Sequence, residues 1–359
     1  MNKNFFSNDP AVVAQSFKRD QLTSARELKG YTKAHLAKLI QKTPSAITQF
    51  ETGGILPDGK TIASLSLALG MPPQYFSRSP VGHYISIEEC HFRSLRSASQ
   101  QLRRQSIRTG ELVHEIACYL EEQGVEFPAE QVTNIKNQLD LDSDLESIAL
   151  KVRNLWGLGA GPILEPIKLL ESKGILVLPL ASSCRDVDAF STWINGRPVI
   201  MLAMHKSSSR THFDIAHELA HLILHDDVKA GDPICEREAD AFASAFLFPS
   251  ISFIKECPRY WNIQHYLSLK DRWHVSLKAL VYKAHQQGFL TASGNKRANI
   301  EMSKNFGSSE PNEWLLTKPS VLKQALNLAH NEGISLDDIA TAVAINKNTL
   351  LDILKPIMD

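Results

Sequence analysis

Residues His217, Glu218, Leu219, Ala220 and His221 spell H-E-x-x-H inside an apolar run that extends from Phe213 to His225. On an α-helix a four-residue step turns about 40° past a full circle and rises about 6 Å, so two imidazoles at that spacing leave one face and can share an ion. Glu218 lies beside them, where a carboxylate can take a proton from water held at a metal. Types and spacing together point to a zinc hydrolase site, with His217 and His221 as ligands and Glu218 as general base. The bare pentapeptide arises by chance in a chain this long with a probability of roughly 0.03, and two ordinary histidines on an amphipathic helix would look the same. The surroundings must therefore supply a third ligand.

A hydrolytic zinc keeps three protein ligands and leaves one position for water. Residues Cys235 to Phe246 read as a second helix, rich in Ala and Phe on one side and ended by Pro249. Glu236 and Asp240 are four apart and share a face, whereas Glu238 lies about 200° round from Glu236 and points elsewhere. Glu236 is the expected third ligand. Asp240, one turn on, is placed to accept the free ring N–H of a liganding histidine and so fix its tautomer. A helix carboxylate is more often solvated, but Phe242, Phe246 and the alanines argue that this helix is largely buried, and a buried acid needs a partner. Two competitors remain. His225 continues the four-residue series but lies about 12 Å along the axis from His217, which suits a helix-end or substrate-side histidine. Cys235 is a softer ligand, yet it points about 100° away from Glu236.

Residues 160 to 285 resemble the ImmA/IrrE family of bacterial metallopeptidases, in which an H-E-x-x-H helix is followed by an E-x-x-A-D/N-x-F-A helix. The landmarks are Gly161-Pro162-Ile163 before a helix, Asp188-Ala189-Phe190-Ser191 in a strand, Arg197-Pro198-Val199-Ile200, Arg210-Thr211-His212-Phe213, and Trp273 through Ala284. The resemblance implies zinc ligands His217, His221 and Glu236, with Glu218 as general base. His212 and Lys283 stand where the family often has arginine, both basic replacements that leave the zinc set untouched.

A second informative stretch runs from Phe17 to Phe76. Thr32 can cap a helix carrying Leu36, Ala37, Leu39 and Ile40; after a short turn, Thr43 caps another whose first position is Pro44. Ile47 and Phe50 are three apart and can face inward, which turns Pro44, Ser45, Thr48 and Gln49 outward together. Gly53-Gly54 suits a left-handed carboxy-cap. Short polar side chains at the start of an exposed helix are what groove reading uses, so Thr43, Pro44, Ser45, Thr48 and Gln49 are the expected contacts to double-stranded DNA. Residues 1 to 80 hold ten Lys or Arg against five Asp or Glu, a surplus of +5 in a chain whose formal charge is zero. Phosphate attraction would then be local. The bland alternative is an αα-hairpin used for protein contact. The stretch resembles the Xre, phage-repressor-like, DNA-binding family, through Ser45-Ala46-Ile47-Thr48-Gln49-Phe50-Glu51-Thr52-Gly53 and the later Leu65-Ser66-Leu67-Ala68-Leu69-Gly70.

The whole chain, 359 residues with 43% hydrophobic composition, allows two or three domains. The expected class is α+β but predominantly α. A helix-turn-helix domain spans 15–80, a helical connector 88–156, a zincin-like metallopeptidase domain with a small β-sheet 157–290, and a helical, helix-turn-helix-like region 313–359. Strands are expected near Ile175–Leu178, Ala189–Ile194 and Pro198–Leu202. The polar stretch 291 to 312 reads as a linker, and the last helices, lacking a basic face, as a packing or partner-binding unit. Arg93, Arg96, Arg103, Arg104 and Arg108 fall in a span without acids, and either touch nucleic acid or pair with acids elsewhere. No apolar run is long enough for a membrane span, Met1 to Phe6 opens no signal-like segment, and five scattered cysteines suit reduced thiols, so a cytoplasmic chain is expected.

These features lead to the expectation of a DNA-binding zinc endopeptidase that regulates transcription. The resemblance implies a protein substrate that is itself regulatory, such as a helix-turn-helix repressor cleaved in a stress, phage or mobile-element response. The other readings are a transcription factor whose zinc-site domain senses a ligand or partner without cleaving it, and a toxin–antitoxin component. Symmetric dimers are common among such DNA readers, which leaves a homodimer among the expectations.

Overall fold

The computed structural model of the chain describes residues 8–79, 84–92, 99–180, 187–225 and 231–358. Five helices open it: α1 (Pro10–Gln15), α2 (Arg19–Leu28), α3 (Lys33–Leu39), α4 (Pro44–Thr52) and α5 (Gly59–Leu69). A two-residue strand β1 (His91–Phe92) precedes the long helix α6 (Gln100–Glu122), and α7 (Val132–Lys136), α8 (Leu145–Leu155) and α9 (Pro166–Ser172) follow. The sheet is completed by β2 (Leu176–Pro179), β3 (Ala189–Ile194) and β4 (Arg197–Leu202). Then come α10 (Ser208–Leu224), α11 (Pro233–Leu247), α12 (Ser250–Glu256), α13 (Ile263–Trp273), α14 (Leu277–Gln286), α15 (Ala292–Phe306), α16 (Val321–Asn331), α17 (Leu336–Ala342) and α18 (Lys347–Met358). The fold is mainly helical with one small sheet, as the sequence leads one to expect. Among the described residues no helix is long and apolar enough to cross a membrane. The opening residues Met1 to Phe6 lie outside those described.

The sheet order is β1-β3-β4-β2, with β2 parallel to β4 and the other pairs antiparallel. Asn195 and Gly196 join β3 to β4 as a two-residue hairpin turn, both at positive φ (49° and 79°), where Asn and Gly fit best. Period-two alternation sorts each strand between two cores. Leu176, Leu178, Phe190, Ile194, Val199 and Met201 face one core, shared with the amino-terminal helices, α6 and the carboxy-terminal helices. Val177, Ala189, Ile200 and Leu202 face the other, shared with α8, α10 and α11. The stretch 88–156 therefore divides: α6 packs with the amino-terminal helices, while Val132, Ile135, Ile148 and Val152 of α7 and α8 join the core of α10 and α11.

Two expected spans take another form. The helical connector expected from residue 88 has its first α-helix only at Gln100, after Ser99 caps it by accepting from Leu102 N–H. Upstream, Ile87–Glu89 makes a 3₁₀ turn and His91–Phe92 pairs with β3, where Thr192 Oγ1 also donates to the Glu89 carbonyl at 3.2 Å. Pairing with a partner remote in sequence overrides local helix preference. The stretch read as a linker contains α15, capped by Thr291 and burying only Ala298, so its composition carries almost no apolar signal. Beyond it, residues 307–320 run back over the start of α10: Glu313 accepts from Ser209 N–H at 2.8 Å and from Lys270 at 2.7 Å, while Trp314 stacks on His274.

Two arginines of the run pair with acids. Arg108 lies between Glu27 and Glu111, at 3.0 and 2.7 Å, and Arg104 is 3.7 Å from Glu27. These contacts fasten α6 to α2. Arg103 is buried, and Arg93 and Arg96 lie outside the described residues. The turn between α9 and β2 depends on Gly174, at φ +79°, where a Cβ would stand 2.5 Å from the backbone of Ala129 and Glu130. Gly174→Ala therefore combines left-handed strain with a backbone clash and is expected to lower stability by at least about 2 kcal/mol, read from the urea midpoint of the full chain.

Candidate metal centre

The chain turns into α10 at Ser207, in extended conformation, and this residue makes no side-chain cap of its own. The distant Glu313 carboxylate does the capping instead, accepting from an otherwise orphaned N–H in the first turn. Ile215, Ala216, Leu219, Ala220 and Ile223 bury the helix against the sheet and α11. Helix α11 starts where Asp232 accepts from Ile234 N–H at 2.7 Å, with Pro233 at its first position, and it ends just before Pro249. Ala239, Phe242, Ala243 and Phe246 seat it on α10. Arg153 of α8 is fully buried and donates to the carbonyls of Gly159, Gly161 and Phe246, tying the end of α11 to the preceding loop. Burial alone pulls its pKa down to about 10.

This packing brings His217, His221 and Glu236 together. The two Nε2 atoms are 3.1 Å apart; Glu236 places Oε2 3.4 Å from His217 Nε2 and Oε1 3.5 Å from His221 Nε2. Both rings are 1% exposed. Three electron-rich donors thus converge in a buried place. Zinc bonds of 2.0–2.1 Å directed to the corners of a tetrahedron would space neighbouring donors by about 3.3 Å, so the set fits a divalent ion of that kind. Asp240 Oδ1 is 2.9 Å from His217 Nδ1, the contact expected of it. With Nδ1–H donated to Asp240, the His217 lone pair lies on Nε2, toward the cluster.

Glu218 is fully buried and accepts from Ser191 Oγ at 2.7 Å. Ser191 is a residue that sequence reading placed in a strand without a role. Its neighbours Phe190 and Thr192 point to the opposite side of β3, and the alternation is the signal that turns Ser191 toward α10. His225 ends α10 and lies beside His221 and Glu238, while Cys235 and Glu238 form with it a second group of potential donors within 4.8 Å of one another.

One turn away on each helix, Phe213 and Ser244 line a small apolar recess with Leu247, Phe248, Leu280 and Lys283. Lys283 donates to the Phe248 carbonyl, and burial brings its pKa down to about 8, with Glu146 opposing. His212 packs against the stacked pair of His274 and Trp314, at ring separations of 6.0 and 5.0 Å. Burial, assisted by His274, pushes its pKa down to about 4, so this ring is neutral at ordinary pH and does not replace an arginine's charge.

In the amino-terminal module, Thr32 accepts from His35 N–H and Thr43 from Ala46 N–H, at 3.1 and 3.2 Å, and Gly53 closes α4 at φ 81°. Ile47 and Phe50 are buried, whereas Thr43, Pro44, Ser45, Thr48 and Gln49 are exposed on one helix start.

Comparison with known proteins agrees with this division of labour. The IrrE N-terminal-like domain of a peptidase family matches residues 170–285, which run from the end of α9 through α14. A helix-turn-helix family matches residues 22–76, from α2 past α5. No curated protein matches the chain. One polypeptide thus carries a helix-turn-helix domain and an IrrE N-terminal-like, metallopeptidase-type domain, the fusion that its sequence resembles.

Proposed function

We propose that the chain is a DNA-binding zinc endopeptidase that regulates transcription by cutting a regulatory protein. The observation that carries this reading is the convergence of His217, His221 and Glu236 beside a buried carboxylate, Glu218, that is already held by Ser191. A complete donor set needs no general base if its task is only structural or sensory. When bound, zinc supplies Lewis-acid polarisation of a carbonyl and acidifies water. His217 and His221 offer Nε2, and Glu236 its carboxylate. Glu218 takes a proton on its carboxylate and returns it to the leaving amine. Ser191 orients Glu218 through its hydroxyl, and Asp240 fixes the tautomer of His217.

The same reading assigns the exposed start of α4 to the major groove, with Ser45, Thr48 and Gln49 reaching base edges and Thr43 and Pro44 setting the helix start against the backbone. Joining reader and cutter in one chain raises the local concentration of the peptidase where a repressor sits on DNA. A helix-turn-helix repressor is the first regulator to try as substrate.

Four measurements test the proposal. Incubation of the zinc-loaded full chain with that regulator yields a defined cut, which Glu218→Gln slows by about 10²–10⁴-fold while leaving the zinc content unchanged. A response in cells that survives Glu218→Gln would instead favour a sensor that cuts nothing. Glu236→Ala lowers zinc content measured by elemental analysis, because two histidines alone hold the ion weakly. Selection of random double-stranded DNA by the full chain enriches one sequence, and Gln49→Ala weakens binding to it by about 1–3 kcal/mol with a relaxed preference at one base position.

A further inference from the structure

His225 is 3% exposed and uses both of its ring nitrogens. Its Nδ1 lies 3.0 Å from Nδ1 of His221, and its Nε2 lies 2.9 Å from Oε2 of Glu238. Together with Cys235 these residues have the donor types of a second metal site. The placement of protons decides against that use. A neutral histidine that offers Nε2 to a metal carries its proton on Nδ1. The His221 Nδ1–H then points at His225 Nδ1, which must be an acceptor, so His225 carries its own proton on Nε2 and donates it to Glu238. An ion on His225 Nε2 would move that proton to Nδ1 and set two N–H groups against each other across 3.0 Å. An ion on His225 Nδ1 would meet the His221 N–H directly.

We propose that Glu238 and His225 form a hydrogen-bonded relay that holds His221 in the tautomer presenting Nε2 to the metal, as Asp240 does for His217. Both are positioning residues, and the cluster with Cys235 is not a second metal site. The inference rests on the reading of His217, His221 and Glu236 as the metal ligands. Outer contacts of this kind fix ring orientation and raise the basicity of the ligand, and their loss lowers metal affinity by about 10–100-fold.

The test is zinc competition between the full chain and a chromophoric chelator, with elemental analysis of the saturated protein. The unaltered chain is expected to hold one zinc. His225→Phe, which removes the acceptor, is expected to weaken zinc binding by about 10–100-fold. His225→Asn keeps an oxygen near the Nδ1 position and recovers part of that loss, a rescue that a merely space-filling role would not give. Glu238→Ala weakens binding in the same direction, and Cys235→Ser changes neither stoichiometry nor affinity. Unaltered affinity in folded His225→Phe and Glu238→Ala, or a second zinc that disappears in Cys235→Ser, overturns the relay alone. An unaltered chain that binds no zinc overturns the metal reading itself, and the relay with it.

Discussion

Two imidazole nitrogens and a carboxylate held 3.1–3.5 Å apart, all presenting lone pairs, repel one another unless a proton or a metal cation stands among them. The surrounding structure is arranged to impose that approach. Each ring has its outward nitrogen engaged, His217 by Asp240 and His221 by His225, so that both inward nitrogens present lone pairs. The contacts of His225 with Glu238, His221 with Glu236, and His217 with Glu236 and Asp240 span about two turns of α10 and about one turn of α11. Small residues at Ala216, Ala220, Ala239 and Ala243 let the two helices come close enough for these side chains to meet.

The sheet carries this arrangement to the rest of the molecule. One face of β3 holds Ser191 against Glu218, while the next residues on the other face, Phe190 and Thr192, meet the core of the amino-terminal helices and the backbone before β1. Because the strands contribute to both cores, a change in packing around α2 and α6 is one strand thickness from the Glu218 carboxylate. The ion pairs of Glu27 with Arg104 and Arg108, together with Lys29 donating to Thr349 at 3.0 Å, hold the amino-terminal, connector and carboxy-terminal helices in a single packed unit. The helix-turn-helix domain mounted in this way is joined through the sheet to the core that seats the helix carrying His217 and His221.

Much of this was legible in the sequence because it depends on local rules. The H-E-x-x-H spacing, the shared face of Glu236 and Asp240, the caps at Thr32 and Thr43, and the left-handed Gly53 all follow from helical geometry over one or two turns. The features that were not legible are those decided by partners far along the chain. Glu313 caps α10 across 104 residues, and β1 exists because β3 offers it an edge. Helix α15 escaped notice since it buries a single alanine and is rich in Asn, Ser and Lys. Arg104 and Arg108 are settled by Glu27, an acid more than seventy residues away that no local pattern marks as their partner.

His225 shows how a correct local inference can stop short. Helical rise sets it about 12 Å along the axis from His217, and it is not among the donors that converge as His217, His221 and Glu236. Yet the periodicity that places two rings on one ion also stacks a third ring behind the second, at a centroid separation of 5.0 Å. A histidine there is too distant to be a ligand and well placed to accept the proton that a ligand must carry on its other nitrogen. Glu238 has the same history. Its angle of about 200° from Glu236 removes it from the metal face, and that direction is the one in which the end of α10 lies. Elimination from one role on a helix face is thus positive information where the next face meets a buried polar group that needs a partner, as Glu238 meets His225.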